Sequence, residues 1–208
     1  MQKTIVFIRY WTILLGCFWW LTGCTGRPYL IVDYHLPPAV QQLAGQSVRL
    51  EIKDLREDPY IFTPRAKIEF RDFKERYSLA WIMEDNSREL AGEYNLKNLF
   101  AESFKKRLQM HGVKIVPQEQ MDAPVFEVEL KAFKIDLQGR KWMANVSYVA
   151  NLSSDGQWIA HQKIVGTAER VKIIGRKGAD TVLSEIFTEM LNRLDIVNLF
   201  DQAKLTVR

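Results

Sequence analysis

Three consecutive segments between Val125 and Arg170 alternate apolar and polar residues and are joined by short turns. Alternation of this kind is typical of a strand that buries one face. The Gln138-Gly139 and Ser154-Asp155-Gly156 turns are short enough to connect antiparallel neighbours. The sequence therefore predicts a three-stranded antiparallel meander, and the rest of the chain must supply whatever covers its apolar face.

The first of these strands changes phase partway along its length. Its apolar residues Phe126, Val128, Leu130 and Ala132 share one face, and they are followed by Phe133, Ile135 and Leu137 in the opposite phase. A one-residue slip moves every later side chain to the other face, and a β-bulge compensates for it. We expect a bulge between Ala132 and Phe133.

Two segments have the three- and four-residue spacing of amphipathic helices. The first is Asn95 to His111, with Gly112 as its C-terminal cap, and the second starts at Asp180 or Thr181 and is followed by a short helical tail around Asn198 to Lys204. Their apolar residues are Leu96, Leu99, Phe100, Phe104 and Leu108 in the first helix, and Leu183, Ile186, Phe187, Met190, Leu191 and Leu194 in the second.

Other strands complete the predicted fold. Ser47 to Asp54 alternates as a half-buried strand, and Val113 to Val116 forms a short one that Pro117 stops. Between Leu55 and Glu93 the periodicity is weak, and the segments Ile68 to Phe70 and Leu79 to Ile82 are interpreted as short strands that could form a hairpin. This order predicts an α+β fold, in which two amphipathic helices pack on one face of a largely antiparallel sheet.

The amino-terminal segment indicates where the protein works. Lys3 and Arg9 precede an apolar run of about a dozen residues, too short to span a membrane, which ends in Leu21-Thr22-Gly23-Cys24. This is the anatomy of a secretory signal, and it resembles the processing site of bacterial lipoproteins. The alternatives are an ordinary secretory signal, in which Cys24 is incidental, and an uncleaved anchor.

The resemblance to lipoprotein signals implies that cleavage removes residues 1–23, that Cys24 carries diacylglycerol on its sulfur and that its new amino group is acylated. Several acyl chains would then hold the protein to a bilayer. In enteric bacteria an aspartate after the lipidated cysteine favours the inner membrane. Because Thr25 occupies that position, the outer membrane is expected, with the chain on its periplasmic face, and the inner membrane is the less favoured alternative.

Removal of the signal peptide limits the organisation and chemistry of the mature chain. We expect three regions: signal peptide 1–23, lipidated Cys24 with a tether through residue 46, and a single periplasmic α+β domain over residues 47–208. The formal net charge falls from +4 to +2, since Lys3 and Arg9 are removed. This near-balanced charge argues against nucleic-acid binding. With Cys24 acylated and Cys17 removed, no cysteine is left for a disulfide or a thiolate metal site.

The pattern resembles the YajG-like family of bacterial envelope lipoproteins. The resemblance rests on Cys24, the Asp54-Leu55-Arg56 strand end, the Leu96 to Gly112 helix followed at once by Val113 to Val116, the hairpin at Ser154-Asp155-Gly156 and the Gly178 to Leu205 helical end. It implies an accessory role beside an envelope protein partner, in transport systems for lipid or lipopolysaccharide.

Candidate chemical groups are sparse. His35, His111 and His161 have no second histidine or carboxylate at a metal-ligand spacing, so no metal is expected. Glu127 and Glu129 share the polar face of a strand and are interpreted as exposed residues rather than as an acid–base pair. Asp54, Arg56, Glu57 and Asp58 could form a local salt-bridge network or contact a partner. We expect no enzymatic activity and no cofactor other than the lipid on Cys24.

Two further groups could bind ligands. Arg170, Lys172, Arg176 and Lys177 form a basic cluster that could contact anionic lipid or a partner, unless it is an ordinary exposed hairpin end. Trp142, Tyr148 and Trp158 could line an apolar groove or pack in the core. The leading hypothesis is a non-enzymatic, membrane-anchored lipoprotein that docks onto an envelope component. A lipid-handling auxiliary with an apolar groove is second, and an enzyme is third.

Overall fold

The computed structural model describes residues 27–154, 156–172 and 177–206. In chain order the elements are β1 (Tyr29–His35), β2 (Ser47–Asp54), α1 (Pro64–Glu69), β3 (Arg76–Ile82), β4 (Arg88–Tyr94), α2 (Leu96–Met110), β5 (Lys114–Ile115), β6 (Val125–Gln138), β7 (Lys141–Ser154), β8 (Gln157–Val171), α3 (Lys177–Arg193) and α4 (Ile196–Thr206). The fold is α+β, as predicted.

The strands form two sheets rather than one. A three-stranded sheet has the order β1-β3-β4, and a five-stranded sheet has the order β5-β2-β6-β7-β8. The pairs β1–β3, β2–β5 and β2–β6 are parallel, whereas β3–β4, β6–β7 and β7–β8 are antiparallel. Antiparallel pairing includes the three longest strands, so the prediction of a largely antiparallel arrangement is confirmed.

The predicted meander is present as β6, β7 and β8. Gly139 and Gly156 lie in its two turns with φ values of 58° and 76°, a backbone conformation that glycine adopts at little cost. The expected bulge in β6 is also present, but the register shifts between Leu130 and Ala132, slightly earlier than predicted. The shift returns Phe133 and Ile135 to the buried face after Leu130.

Helix α2 begins and ends where the sequence predicts. The side chain of Asn95 accepts a hydrogen bond from the backbone N–H of Asn98 at 2.9 Å, which caps the amino terminus. At the other end Gly112 has a φ of 85° and its amide donates to Gln109 O. Two local signals therefore define this helix: a capping amide and a glycine in the left-handed region.

The inner face of the five-stranded sheet carries the core. Helices α2, α3 and α4 pack on this face, so the predicted packing of two helices on one face is confirmed. Aromatic rings form a connected set of contacts that also reaches the three-stranded sheet through the Tyr77–Phe133 pair, at 5.8 Å between centroids. The set consists of Tyr34, Phe62, Phe70, Phe73, Tyr77, Trp81, Phe100, Phe104, Phe126, Phe133, Trp142, Tyr148 and Phe187.

The folded region starts upstream of the expected boundary at Ser47. Residues 24–46 were expected to be a tether, but Tyr29–His35 forms β1 in full parallel register with β3. Leu30, Val32 and Tyr34 are fully buried. Pro37 and Pro38 follow the strand and do not interrupt its pairing with β3.

The weakly periodic segment contains one correct and one wrong prediction. Leu79 to Ile82 is a strand, as expected, and it pairs with β4 in a hairpin. The expected strand Ile68 to Phe70 is wrong, because Ile68 lies in α1. Thr63 caps this helix by accepting from Ala66 N, and Pro64 occupies its first turn, where its fixed φ suits the helix. Thr63 and Pro64 favour a helix more strongly than the short alternation of Ile68 to Phe70 favours a strand.

The two carboxyl-terminal helices are present and longer than predicted. Helix α3 starts at Lys177, before the predicted Asp180 or Thr181, and the tail around Asn198 to Lys204 extends over Ile196–Thr206 as α4. Asp180 lies in the first turn of α3, where a carboxylate suits the helix dipole.

Replacement of Gly112 with alanine tests the cap of α2. A Cβ at Gly112 would lie 3.0 Å from Ala44 N and 3.1 Å from Ala44 Cα, both backbone atoms. Gly45 is the matched control, because it also has a positive φ (88°) but no atom lies within 4 Å of an added Cβ. Each alanine should cost about 1–2 kcal/mol for the left-handed backbone.

Gly112→Ala should cost about 1 kcal/mol more than Gly45→Ala, since only the former also crowds a backbone. Chemical denaturation of both variants measures the difference in free energy of unfolding. Equal losses would contradict the close packing of Gly112 against Ala44.

Candidate functional site

The outer edge of β1 is covered by a helix instead of a strand. Since β1 is an edge strand of its sheet, alternate backbone N–H groups point away from β3 and need acceptors. Polar side chains of α3, spaced four residues apart, make these hydrogen bonds, and we call them the α3 ladder. The bonds join Ile31 N to Asp180 Oδ1 (3.0 Å), Asp33 N to Ser184 Oγ (2.9 Å), His35 N to Thr188 Oγ1 (3.1 Å) and Asn192 Nδ2 to His35 O (3.0 Å).

The match between helix and strand follows from their repeats. Four residues of an α-helix rise about 6 Å, and two residues of a strand span about 6.6 Å. Side chains at every fourth position of α3 therefore meet every second residue of β1 over several repeats. In this way the helix protects an edge that would otherwise be open to pairing with another chain.

A groove lies along this junction and follows β1 from Arg27 to His35. It has a volume of about 490 Å³. Arginines neutralise its carboxylates: Arg27 Nη2 lies 2.6 Å from Asp180, Arg88 Nε lies 3.0 Å from Asp33, and Arg170 Nη2 lies 2.8 Å from Glu185. The lining residues are Arg27, Ile31, Asp33, His35, Asp180, Thr181, Ser184 and Glu185.

The carboxyl terminus of α3 is held by a buried arginine. Arg107 of α2 is 5% exposed, and its Nη2 donates to Asn192 O at 3.2 Å and to Leu194 O at 2.7 Å. Positive charge at a helix carboxyl terminus is favourable, because the last carbonyls lack partners within the helix. Tyr34 Oη donates to Asn192 Oδ1 at 2.9 Å and thereby links this cluster to β1.

Burial also changes the acidity of nearby groups. Burial raises the pKa of Tyr34 to about 12, and the charge of Arg107 opposes that rise. Burial lowers the pKa of His111, with a further lowering from the charge of Arg107. In the folded protein both effects favour the neutral side chains around one buried guanidinium.

The predicted basic cluster is only partly visible. Arg170 pairs with Glu185, and Lys172 Nζ lies 2.6 Å from Glu69 and 5.7 Å from the centroid of the Trp142 ring. Arg176 lies outside the described residues, and Lys177 is the first residue of α3. Cys24 also lies outside the described residues. Both described members of the cluster therefore pair with carboxylates of the same chain.

The paired glutamates of β6 were expected to be exposed, but Glu127 is only 7% exposed because a lysine and an asparagine contact it. Glu127 lies 2.5 Å from Lys53 Nζ and accepts from Asn151 Nδ2 at 3.4 Å, while Glu129 lies 2.8 Å from Lys131 Nζ. The hydrogen bond that Lys131 donates to Glu129 is the main cause of the lowered pKa of Glu129. These ion pairs hold Glu129 ionised.

The three histidines do not converge on one site. His35 lies on β1, His111 follows α2 and His161 lies on β8. Over the residues that the structure describes, no three His, Cys, Asp or Glu side chains are grouped to hold a metal ion.

The end of β2 does form the expected local salt-bridge network. Arg56 binds Asp54 with two hydrogen bonds of 2.8 Å, and Lys134 pairs with Asp58. The hydrogen bond from Arg56 is the main cause that lowers the pKa of Asp54. This network joins β2 and the chain after it to β6.

The candidate groove aromatics separate into two groups. Trp142 and Tyr148 are fully buried, and both make ring contacts within the core. Tyr148 Oη also donates to Met190 O at 2.8 Å. Trp158, by contrast, is 64% exposed on β8. Core packing therefore accounts for the first two.

The α3 ladder and Arg107 are the structural residues that the sequence reasoning missed. The ladder had a visible signal: polar residues recur at every fourth position in Asp180, Ser184, Thr188 and Asn192. Such a stripe resembles an ordinary solvent-facing stripe, so the spacing alone does not show that it covers a strand. Arg107 had no comparable signal, because it belongs to the Lys105-Lys106-Arg107 run at the end of α2.

Comparisons with known proteins identify the fold. The crystal structure of XCC0632 from Xanthomonas campestris, a DUF330 protein, matches with a TM-score of 0.51 and 12% sequence identity, over 88% of this chain and 100% of that chain. The lipoprotein GNA1162 from Neisseria meningitidis matches with a TM-score of 0.36 and 8% identity, over 72% and 99%. The first likeness shows a shared fold, and the second score is too low to carry an argument.

Comparisons at the sequence level add nothing to this. No protein-family model matches the chain, and no curated protein matches it. The resemblance to the YajG-like family stays a hypothesis. No helix among the described residues has the length and hydrophobicity that crossing a membrane requires.

The α3 ladder can be tested at Ser184. Ser184→Ala removes the acceptor of the Asp33 amide, and a buried donor left unpaired should lower the free energy of unfolding by about 1–3 kcal/mol. Ser184→Thr keeps a hydroxyl and is the matched control. Hydrogen exchange should show selective loss of protection at the Asp33 amide in Ser184→Ala. Unchanged exchange at Asp33 would contradict the ladder.

The depressed pKa of His111 predicts a pH dependence of stability. Because the pKa of His111 is lower in the folded protein than in the unfolded chain, the unfolded chain binds more protons at this site as the pH falls. The free energy of unfolding is therefore highest above the unfolded-state pKa and decreases as the pH falls below it. Replacement of His111 with asparagine should therefore reduce the loss of stability between about pH 7 and pH 5. His161→Asn, at an exposed position, is the comparison variant, and an effect of His111→Asn no larger than that of His161→Asn would contradict the role of burial at His111. Denaturation midpoints measured across this pH range give the comparison.

Proposed function

We propose that this protein is a non-enzymatic lipoprotein, anchored to the periplasmic face of the outer membrane through Cys24, whose α+β domain docks onto another envelope component. The finer form of the proposal is an accessory subunit of an envelope transport system. The observation that carries it is the Leu21-Thr22-Gly23-Cys24 site directly behind an apolar signal run.

The structure supports an anchor at this place in the chain. The fold starts immediately after the proposed lipidation site, since Arg27 pairs with Asp180 and β1 begins at Tyr29. A lipid on Cys24 would therefore be joined to the folded domain through only two residues, Thr25 and Gly26, before Arg27. An amino terminus of this kind suits a lipid anchor.

The contacts of the candidate acid–base groups support a non-enzymatic role. Glu127 and Glu129 are in ion pairs with lysines, and the hydrogen bond from Lys131 lowers the pKa of Glu129. Asp54 and Arg56 bind each other. These groups stabilise the sheet, and the proposal assigns them no chemical step.

The lipid-handling alternative has less support. It required aromatic side chains between sheet and helices to line a groove, but Trp142 and Tyr148 are packed in the core. The 490 Å³ groove beside β1 is lined by charged side chains, including the Arg27–Asp180 ion pair and Glu185, and desolvating these charges against an acyl chain would be unfavourable.

Lipidation of Cys24 is tested by labelling. Cells grown with radiolabelled palmitate should label the wild-type protein, and Cys24→Ala should abolish the label. Cys17→Ala is the matched control and should keep it, because Cys17 lies within the expected signal peptide. Incorporation that survives Cys24→Ala would refute the anchor. In an enteric host, Thr25→Asp should shift the labelled protein to inner-membrane fractions of a density gradient.

Docking is tested by capture from gently solubilised envelopes. The wild-type protein should co-purify with a defined envelope protein at a constant ratio, and an excess of untagged protein should compete for that partner. Recovery of free monomer alone under several mild detergents would count against docking while leaving the anchor intact.

A further inference from the structure

The distance between the proposed anchor and the folded domain is short. Only Thr25 and Gly26 separate Cys24 from Arg27, and three fully extended residues span at most about 11 Å. Arg27 is itself fixed to Asp180 by a 2.6 Å ion pair. An acylated Cys24 would thus hold one end of the domain within reach of the lipid headgroups.

The contacts around Arg27 identify which end this is. Pro28 O accepts from Lys74 N at 2.9 Å, and Tyr29 is in register with Arg76 at the start of β3. On the other side, Gly178 of α3 lies against Trp142 and Val171, beside the β6–β7 turn. The strand starts of β1, β3 and β7 and the strand ends of β6 and β8 therefore meet at one pole of the domain.

Exposed basic side chains surround this pole. Lys74 and Arg76 lie beside the first residues of β1, and Arg140 lies in the β6–β7 turn, where its carbonyl accepts from Lys172 N at 2.7 Å. All three are exposed, and none forms an ion pair among the residues that the structure describes. We call Lys74, Arg76 and Arg140 the basic rim.

The charge of the surrounding surface remains positive. Arg71 adds a fourth basic side chain, and Asp72 and Glu75 add two acidic ones, so four cations and two carboxylates leave two positive charges in excess. Neighbouring Lys141 and Lys172 are neutralised by Glu169 and Glu69, at 2.7 Å and 2.6 Å. The excess is therefore carried by residues beside the chain that leads to Cys24.

We propose that the basic rim rests on anionic phospholipid headgroups, so that the anchor and the rim together orient the domain on the bilayer. This inference rests on the proposed anchoring through Cys24. Anionic lipid is favoured as the occupant because the short leader keeps the rim at the membrane, and because the rim's charge complements phosphate. The positions differ from the expected cluster around Arg170, whose described members pair within the chain.

The size of the effect is predictable. Each basic group close to an anionic membrane favours the bound state about fivefold, so three groups together should favour the docked orientation about a hundredfold. This contribution is electrostatic and falls in about 1 M salt, where charges are screened over about 3 Å.

The test uses the lipidated full chain in vesicles, with two single-cysteine reporters. Gln138 and Gln157 lie at opposite ends of the β7 ladder, paired with Lys141 and Ser154. The 14-residue strand between them extends about 43 Å. A fluorophore on Gln138→Cys or Gln157→Cys then reports which pole is near headgroups that carry a nitroxide quencher.

The lipid composition and the charge variants complete the design. Vesicles contain phosphatidylcholine alone or phosphatidylcholine with phosphatidylglycerol. The rim variant combines Lys74→Gln, Arg76→Gln and Arg140→Gln. A control variant combines Lys105→Gln, Lys114→Gln and Lys163→Gln, which removes three positive charges away from the rim.

We expect strong quenching at position 138 and little at 157 when phosphatidylglycerol is present. The rim variant, neutral vesicles and 1 M salt should each reduce the quenching at 138, and the control variant should not. Equal quenching at both positions would refute the proposed contact between the basic rim and the headgroups. Quenching that does not depend on phosphatidylglycerol or on the rim variant would refute it as well, and both results would leave the proposed anchor intact. Failure of the wild-type protein to float with the vesicles would instead overturn the anchor and the rim together.

Discussion

The hydrogen bonds between the edge of β1 and the α3 ladder are the interaction on which the rest of the structure depends. They join the first strand of the described chain to its last long helix, which are about 150 residues apart in sequence. They also connect the two sheets, since β1 belongs to the three-stranded sheet and α3 packs on β7 and β8 of the other. Without them, the outer edge of β1 would have no hydrogen-bond acceptors from α3.

Helix α3 is held at both ends as well as along its length. Asp180 in its first turn binds Arg27, and the carbonyls at its last turn accept from the buried Arg107. A carboxylate at the amino terminus and a guanidinium at the carboxyl terminus both complement the helix dipole. The aromatic set beneath the helix, through Phe187, Phe100 and Tyr34, fixes its rotation, so that the ladder faces β1.

The elements that could be predicted were those with a complete local signal. The meander has alternation and turn glycines, and α2 has Asn95, Gly112 and an apolar face. The extended run at Tyr29 to Tyr34 was recognisable in the sequence, but its pairing could not be predicted because its partner β3 lies more than 40 residues downstream. At the candidate site, residue types such as Arg170 and Lys172 were visible, but their pairing with Glu185 and Glu69 depends on the tertiary fold. The sequence therefore predicted a basic surface at Arg170 and Lys172, but in the folded protein carboxylates neutralise both side chains.

The order in which the chain is made gives the α3 ladder a further consequence. Strand β1 is synthesised first and α3 near the end, so the edge of β1 stays unprotected until almost the whole chain has been made. An exposed strand edge is a template for pairing with other chains, and contacts of such long sequence separation form late. A chain interrupted before α3 would carry an open edge at β1, which makes folding of this domain dependent on the segment that begins at Lys177.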